Sequence, residues 1–246
     1  MQPVDFVIAA LMMLGAILYT SVGHAGSSIY IAVMSLFNVP APVIKPTALS
    51  LNILVSAYTS RRFISKQYVD RRLLVPLLCG AIPLAFLGGR LQLPAETFRV
   101  LVGVILIIAG LQFAVRPRQT DDRATRNPPW WVSVITGAAI GFISGITGTG
   151  GGILLTPLVL FLGWTAVRSA SGTAAVFIFA NSVSGLLGNL SSIRDLPPQL
   201  PLYIAAVMVG ALIGTRLGIT VLSTIGIKRA VGAVLVIAGL KLALQL

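Results

Sequence analysis

The sequence has very few residues that could build a redox, metal or acid–base centre. Its 246 residues include one cysteine, one histidine and six acidic residues, and only 10% of them are charged. The cysteine, Cys79, lies inside an apolar run, which excludes a disulfide framework and a cysteine-based metal cluster. All six acids fall at or outside the ends of apolar segments, so a carboxylate proton relay or a hard-cation site within a bilayer is poorly supported. We therefore expect no metal and no cofactor.

Enzymatic motifs are missing as well. The glycine-rich residues 145–152 lack the lysine that a phosphate-binding loop needs. His24, the single imidazole that could act as a base, lies far along the chain from Ser144, and no nucleophile motif surrounds Cys79. The sequence thus predicts a protein that is not an enzyme.

Apolar residues are what the chain has in abundance. It is 56% hydrophobic with a mean hydropathy of +0.95, values typical of an all-α polytopic membrane protein. The net charge of +12 comes mostly from short loops, where a positive bias marks the cytoplasmic side of a membrane rather than a nucleic-acid site. No Lys or Arg precedes the first apolar segment and no small-residue cleavage site follows it, which argues against a cleaved signal peptide. The expected partner is the lipid bilayer, and the expected location is a bacterial inner membrane.

Glycine-rich stretches interrupt two of the apolar segments. Residues 4–39 are broken at 23–28 (Gly-His-Ala-Gly-Ser-Ser), and residues 130–163 are broken at 148–152 (Gly-Thr-Gly-Gly-Gly). Irregular backbone survives at membrane depth only where it is buried in protein or lines a cavity. Matching breaks in two halves indicate a secondary transporter's binding site, whereas close helix packing is the alternative for either cluster alone. A half-helix that begins after such a break offers unpaired N–H groups and a positive dipole end, which suit an anion.

The two halves of the chain repeat. Residues 46–48 and 87–91 recur at 172–174 and 213–217, a spacing of 126, and the two breaks align at a spacing near 125. We therefore divide the chain into an N-terminal membrane repeat (1–115), a polar cytoplasmic linker (116–129) and a C-terminal membrane repeat (130–246). Each repeat has about four hydrophobic segments, of which the first is broken.

Charge counting separates two topologies. If the broken segments fold back, the repeats are inverted and the inner face carries 13 Lys and Arg against 5 outside. If the broken segments cross, the repeats are parallel and the count is 11 against 7. The positive-inside rule favours the inverted arrangement.

Residues 141–160, Gly-Phe-Ile-Ser-Gly-Ile-Thr-Gly-Thr-Gly-Gly-Gly-Ile-Leu-Leu-Thr-Pro-Leu-Val-Leu, followed by the Gly172-Thr173 pair, resemble the glycine-rich signature of the TauE/SafE family. These are sulfite and organosulfonate permeases, also called the 4-toluene sulfonate uptake permease family. The resemblance covers essentially the whole chain, including the two-fold repeat. Members often have a second glycine run in the first repeat, where this chain has residues 23–28 with His24. The resemblance implies transport, often export, of small sulfur-containing or carboxylate anions.

The candidate substrate-binding residues lie in the two breaks and on the helix that follows each of them. They are Gly23, His24, Gly26, Ser27, Ser28, Lys45, Thr47, Asn52, Gly148, Thr149, Gly150, Gly151, Gly152, Thr173 and Asn181. His24 either couples a proton or senses the anion, or it is a neutral side chain that satisfies broken-helix carbonyls. Ser27 and Ser28 either donate to an oxyanion or cap a half-helix. Lys45 either attracts the anion or anchors a helix end, and the two asparagines either bind substrate or hydrogen-bond between helices.

The two breaks predict secondary transport of a small anion bound between two half-helix N-termini, and the resemblance implies that this anion is sulfur-containing or organic, such as sulfite or a sulfonate. The alternatives are transport of another small anion, such as a carboxylate, and a membrane accessory or assembly protein. A coupling proton or sodium ion and a homo-oligomer are compatible with the sequence. Nucleic acid is not an expected partner.

Overall fold

A computed structural model describes residues 2–21, 23–115, 126–220 and 225–244. All regular structure within these ranges is helical, as the composition predicts. The first half contains α1 (Pro3–Ser21), α2 (Ser27–Leu36), α3 (Ala41–Ser65), α4 (Arg71–Arg90) and α5 (Ala95–Val115). The second contains α6 (Trp130–Thr147), α7 (Gly152–Phe161), α8 (Val167–Gly188), α9 (Leu200–Thr220) and α10 (Ile225–Leu244), with a 3-10 helix at Leu190–Asp195. Most of the predicted linker, residues 116–125, lies outside the described residues.

Five helices in the described ranges are long and apolar enough to cross a membrane: α1, α4, α6, α8 and the Leu200–Leu217 part of α9. Both interruptions expected from the glycine clusters are present, since α1 and α6 end just before them and the short helices α2 and α7 begin just after. One boundary differs from the sequence pattern. In the sequence, Pro40 and Pro42 end the first apolar segment and predict that the next helix opens at Lys45. The helix begins a turn earlier, at Ala41, because Pro42 occupies a first-turn position where its missing N–H is not needed.

Helices α4 and α6 lie side by side in parallel, with their backbones in contact. A Cβ atom built on Gly137, Gly141 or Gly145 of α6 would lie 2.0, 2.4 or 2.2 Å from the carbonyl oxygens of Leu77, Ala81 and Ala85 of α4. Partner numbers rise together along both helices, which establishes the parallel direction. Glycine is required at these positions because any side chain would push the two backbones apart.

The second broken segment folds back on itself. The backbone N–H of Arg126, just before α6, donates to the carbonyl oxygen of Gly163, just after α7, at 2.8 Å. Both ends of the α6–α7 hairpin therefore lie on one side of the molecule. The first broken segment also turns back, since a Cβ atom on Gly15 of α1 would lie 2.4 Å from the side chain of Ile29 in α2.

The two hairpins enter the molecule from opposite sides. We define the basic face as the side that carries the loop at 66–70, the start of α6 and the start of α8. Since α4 is parallel to α6, it begins at this face, and α3, which precedes it across a short loop, begins at the opposite face. Helix α2 ends next to the start of α3, so the α1–α2 hairpin has its ends at the opposite face. This geometry agrees with the inverted arrangement, and the repeat itself stays a prediction.

The main helix contacts join the two halves of the chain. Helix α6 packs on α4 and α1 packs on α9, while α5 packs on α10 and α3 on α8. In chain order α1 corresponds to α6 and α4 corresponds to α9, so the α4–α6 contact in one arrangement corresponds to the α9–α1 contact in the other. The contacts therefore have an approximate two-fold relation. The buried core surrounds the inner ends of the hairpins, with large side chains such as Tyr30, Leu51 and Phe177 fully enclosed.

Candidate functional site

The two interrupted stretches, residues 23–26 and 148–151, cross each other at the centre of the protein. The Ser27 hydroxyl donates to the carbonyl oxygen of Thr149 at 2.5 Å, and His24 Nε2 lies 3.2 Å from the carbonyl oxygen of Gly152. His24 pairs with Gly152, and Ser27, further along the first segment, pairs with Thr149, which comes earlier in the second. The two segments therefore run antiparallel. These side chains are at most 7% exposed. The structure thus brings together the two breaks that the sequence identifies.

Each crossing segment delivers the N-terminus of a short helix into this buried centre. The N-cap residues Gly26 and Gly151 have φ values of 99° and 80°, a left-handed conformation that glycine adopts without steric cost, and neither helix has a side-chain cap. Intrahelical bonding begins only at the N–H groups of Ile29 and Leu154. The preceding N–H groups have no acceptor within their helices and carry the positive end of the helix dipole.

Two asparagines face the start of α7. A Cβ atom built on Gly150 would lie 2.6 Å from Asn52 Nδ2, and one built on Gly151 would lie 3.2 Å from Asn181 Nδ2. Both side chains have an exposed fraction of 0%. Asn52 donates a long bond of 3.4 Å to Ser182 Oγ, and its Oδ1 has no hydrogen-bond partner in the described structure. Both amide atoms of Asn181 also lack a partner there.

Buried polar atoms without partners cost about 1–3 kcal/mol each, so native proteins rarely keep them without a reason. The three amide atoms of Asn52 and Asn181 adjoin a helix N-terminus whose first N–H groups have no acceptor within the helix. A small polar ligand admitted between these helices would replace the missing hydrogen bonds. These residues, with Gly150, Gly151 and Gly152, form what we call the α7 site.

The start of α2 is filled by protein groups instead. The Tyr30 hydroxyl donates to the carbonyl oxygen of Ala25 at 2.6 Å, and a Cβ atom on Gly26 would lie 2.8 Å from the same hydroxyl. Ser27 is engaged with Thr149, as described above. Ser28 is buried in the first turn of α2. The two half-helix termini are therefore unequal, and the α7 terminus has the greater unmet capacity for hydrogen bonds.

His24 joins the first hairpin to α7. Besides its contact with Gly152, its Nε2 atom lies 3.0 Å from the Thr156 hydroxyl, one turn into α7. The His24 ring also meets the ring of Tyr19 edge-on, with centroids 6.3 Å apart. The His24 ring thus links the first break to the first turn of α7, and both roles that the sequence left open for it stay predictions.

Lys45 lies beside the glycine break but its ammonium group is directed elsewhere. Its Nζ atom donates to the carbonyl oxygens of Gly88, Gly89 and Leu91 at 3.4, 2.9 and 3.1 Å. These are carbonyls at the C-terminal end of α4, where a cation is favourable. Lys45 therefore acts as a helix-end anchor in this structure.

Four other predicted residues lie outside the α7 site. The Thr173 hydroxyl accepts from the backbone N–H of Asp70 at 3.1 Å, near the basic face. A Cβ atom built on Gly23 would lie 2.7 Å from the Cβ atom of Ser171, and one built on Gly148 would lie 3.2 Å from the carbonyl oxygen of Lys45. Thr47 is fully buried, and its hydroxyl has no partner among the described residues.

Sequence reasoning missed several residues that contact the crossing. Tyr30, Thr156 and Ser182 all contribute hydroxyl groups, and they lie on helices one turn or more from a glycine cluster. A search for hydroxyls at helical spacing after each break would have found Tyr30 and Thr156. Nothing in the sequence indicates that Ser182 faces Asn52, since that contact depends on the antiparallel packing of α3 and α8.

Comparison with known proteins identifies relatives along nearly the whole chain. The sequence profile of the family described as sulfite exporter TauE/SafE matches residues 7–242. The chain is 37% identical over 230 residues to the probable membrane transporter protein y4hK of Sinorhizobium fredii, covering 92% of this chain and 93% of that protein. It is 32% identical over 91 residues to a probable membrane transporter protein of Xylella fastidiosa, covering 37% of this chain and 35% of that protein. No solved structure matches the chain.

Proposed function

The chain belongs to the sulfite exporter TauE/SafE family, and we propose that it is a secondary transporter of a small sulfur oxyanion, sulfite or a sulfonate, in a bacterial inner membrane. The observation that carries the proposal is the α7 site, where the buried amides of Asn52 and Asn181 face the glycines that open α7. Its relatives are named as membrane transporters, which agrees with the lack of enzymatic motifs in the sequence.

The chemistry of the α7 site favours an anion over a cation. Its donors are the first backbone N–H groups of α7 and the amide nitrogens of the two asparagines. Hard cations prefer carboxylate and carbonyl oxygens, and the acids in the described ranges lie at helix ends or in loops: Asp5, Asp70, Glu96 and Asp195. An oxyanion with several acceptor atoms can accept from all of these donors at once.

The glycines let the backbone itself approach the ligand. At Gly150 and Gly151 a side chain would occupy the space between the backbone and the two asparagines. Sulfite and sulfonate groups present three oxygens around one sulfur atom, a shape suited to diverging N–H and amide donors. The same donors could hold a carboxylate with two oxygens, which is why substrate class requires a direct measurement.

Transport requires that the buried site open alternately to the two faces of the membrane. The close glycine contacts tie α6 to α4 and α1 to α9, so the units that move together would draw helices from both halves. One unit would contain α4, α6, α7 and α8, and the other α1, α2, α3 and α9. The α7 site lies between them, with Asn181 on one unit and Asn52 on the other. A relative movement of the two units would open it.

The proposal is tested by anion binding to purified protein and by uptake into proteoliposomes. A ligand that binds only the folded state raises the melting temperature once its concentration passes the dissociation constant. Sulfite, ethanesulfonate, acetate and chloride are compared, and we expect selective stabilisation and counterflow with the sulfur oxyanions. Stabilisation by acetate alone would move the assignment to carboxylates, and a cation-specific response would refute an anion site.

Two glycine variants separate the site from the general cost of the substitution. Gly151→Ala places a methyl group 3.0 Å from Phe177 and 3.2 Å from Asn181 Nδ2, whereas Gly163→Ala has nothing within 4 Å. Both positions have positive φ values, 80° and 67°, so both variants bear a similar backbone cost of about 1–2 kcal/mol. We expect anion binding to be lost in Gly151→Ala and retained in Gly163→Ala. Equal transport by both variants would remove the start of α7 from the binding site.

A further inference from the structure

We propose that Asn181 recognises a hydrogen-bond donor on the transported anion, so that the preferred substrate is a monoanion that carries an O–H or N–H group beside its charged group. This inference rests on the proposed anion site at α7 and specifies the class of anion that it takes. A ligand of this class would form hydrogen bonds with all of the unpartnered amide atoms of the α7 site.

The argument begins with the amide of Asn181. The side chain has an exposed fraction of 0%, and neither Nδ2 nor Oδ1 has a hydrogen-bond partner among the described residues. Rotating the amide by half a turn exchanges the positions of Nδ2 and Oδ1, and both atoms still lack a hydrogen-bond partner. In either orientation the site therefore offers one unpartnered donor and one unpartnered acceptor.

An oxyanion alone can satisfy only the donor. Its oxygens accept from Nδ2 and from the N–H groups at the start of α7, but they repel the amide oxygen. A ligand with an O–H or N–H group satisfies the amide oxygen as well. Leaving a buried acceptor unpaired costs about 1–3 kcal/mol, which corresponds to a roughly 5- to 150-fold loss of affinity.

Asn52 presents the same requirement on the other side of the site. Its Oδ1 lacks a partner in the described structure, while its Nδ2 makes only a long 3.4 Å bond to Ser182 Oγ. If the Asn52 amide is rotated, the oxygen accepts from Ser182 and the nitrogen is left unpartnered. The requirement for a ligand donor is therefore strict at Asn181 and depends on orientation at Asn52.

The available positive charge favours a monoanion over a dianion. A helix N-terminus supplies the equivalent of about half an elementary charge. The adjacent ammonium group of Lys45 is already bonded to three carbonyl oxygens of α4 and does not point into the site. Burying a second negative charge without a compensating cation carries a large desolvation cost.

The first half of the chain lacks a corresponding recognition group. The position 126 residues before Asn181 is occupied by Val55, which is fully buried. At the start of α2 the Tyr30 hydroxyl fills the place beside Gly26. Recognition of a ligand donor is therefore a property of one site and not of two related sites.

The test compares two monoanions that differ in one group. In 2-hydroxyethanesulfonate a hydroxyl replaces the terminal methyl of 1-propanesulfonate, with nearly the same size and the same charge. We expect the purified wild-type protein to bind the hydroxyl compound about 10- to 100-fold more tightly, measured by calorimetry or thermal shift. Equal affinities, or tighter binding of 1-propanesulfonate, would overturn the inference and leave the anion site intact. Binding of neither sulfonate would overturn both.

Two leucine variants assign the effect to one residue. Asn181→Leu should reduce the ratio of the two affinities to near unity, and without ligand it should melt at the wild-type temperature or above, because it removes unpaired polar atoms. Asn189→Leu, at the end of the same helix, alters a buried asparagine that holds Ser192 and should keep the ratio. A preserved ratio in Asn181→Leu would overturn the assignment. So would a large fall in its melting temperature, which would indicate a structural role.

Discussion

The parallel contact of α4 and α6 can be tested with two glycines that face each other across the α6–α8 interface. A Cβ atom on Gly145 of α6 would lie 2.2 Å from the carbonyl oxygen of Ala85 and 2.9 Å from the backbone N of Gly89. On Gly185 of α8, a Cβ atom would meet nothing closer than 3.6 Å, the Cα of Gly145. Gly145→Ala therefore directs its methyl group against the backbone of α4, whereas Gly185→Ala places the same group in ordinary contacts.

The magnitudes follow from these distances. Ordinary contacts between carbon and carbonyl oxygen begin near about 3.3 Å, so Gly145→Ala forces the α4 and α6 backbones apart by about 1 Å. Overpacking of this kind costs typically about 1–3 kcal/mol. Gly185→Ala makes only ordinary contacts and gains about 1 kcal/mol of helix propensity. We expect the free energies of unfolding of the two variants to differ by about 2–4 kcal/mol, with Gly145→Ala the less stable.

The assay is thermal unfolding in detergent, followed by tryptophan fluorescence at matched protein concentration and heating rate. The heating rate is fixed because membrane proteins often unfold irreversibly, so the melting temperature depends on it. Gly145→Ala should melt several degrees below the wild type, and Gly185→Ala at or above it. If both variants melt alike, or if Gly185→Ala is the less stable, the backbone contact between α4 and α6 is wrong. The parallel direction, from which the opposite entry of the two hairpins is derived, would then lose its support.

Three further outcomes test individual contacts. In a Cys79→Ser background, cysteines at Arg126 and Gly163 should form a disulfide on mild oxidation, since their backbones are joined at 2.8 Å; absence of the cross-link on gel analysis would argue that α7 does not return to the start of α6. Lys45→Met should lower the free energy of unfolding by about 1–3 kcal/mol, because three carbonyls at the end of α4 lose their donor. The anion dissociation constant should stay within about threefold of the wild-type value. A large loss of affinity at unchanged stability would instead show that Lys45 binds the anion. Asp70→Ala removes the N-cap of α4 and should cost about 1 kcal/mol in thermal unfolding, whereas an unchanged melting temperature would show that the cap contributes nothing.

The sequence was sufficient for the helices and their interruptions. Long apolar runs bounded by prolines and basic loops predict most of the helices to within a few residues, because burial in a bilayer leaves few alternatives to a helix. The glycine clusters predict the breaks for the same reason, and α1 ends at Ser21 and α6 at Thr147, just before them. The start of α3 was misplaced because Pro42 was interpreted as a terminator, although proline also occupies first-turn positions.

The use of particular side chains was harder to predict. Lys45 lies next to a glycine break in space, yet its ammonium group binds the end of α4, a helix that follows later in the chain. The hydroxyl of Thr173 receives the N–H of Asp70 across the interface of α4 and α8. Both contacts depend on how helices from different parts of the chain pack together, and periodicity within one helix carries no information about that. Asn181 and Asn52 were found by their polarity, but only the packing shows that they face the same helix terminus.

The orientation of the protein in the membrane follows from combining the hairpin geometry with the distribution of charge. The described cations at the basic face are Arg61, Arg62, Lys66, Arg71, Arg72, Arg126, Arg168 and Arg216, and those at the opposite face are Lys45, Arg90, Arg99, Arg194 and Lys241. Both described lysines at the opposite face are hydrogen-bonded to helix carbonyls: Lys45 Nζ lies 2.9 Å from the carbonyl oxygen of Gly89, and Lys241 Nζ lies 2.8 Å from that of Leu36. The positive-inside rule therefore predicts that the basic face is the cytoplasmic one.

This orientation predicts that the α6–α7 hairpin enters from the cytoplasm and the α1–α2 hairpin from the other side. In a Cys79→Ser background, a cysteine at exposed Lys66 should react with a membrane-impermeant thiol reagent only in inverted vesicles, and one at exposed Gln92 only in intact spheroplasts. The reverse pattern would invert the assignment, and labelling of both positions from one side would refute opposite faces altogether. If the predicted pattern is found, α7 and Asn181 belong to a hairpin and a helix that both begin at the cytoplasmic face. Movement of the unit that contains α4, α6, α7 and α8 would then expose the α7 site to an anion that is to be exported.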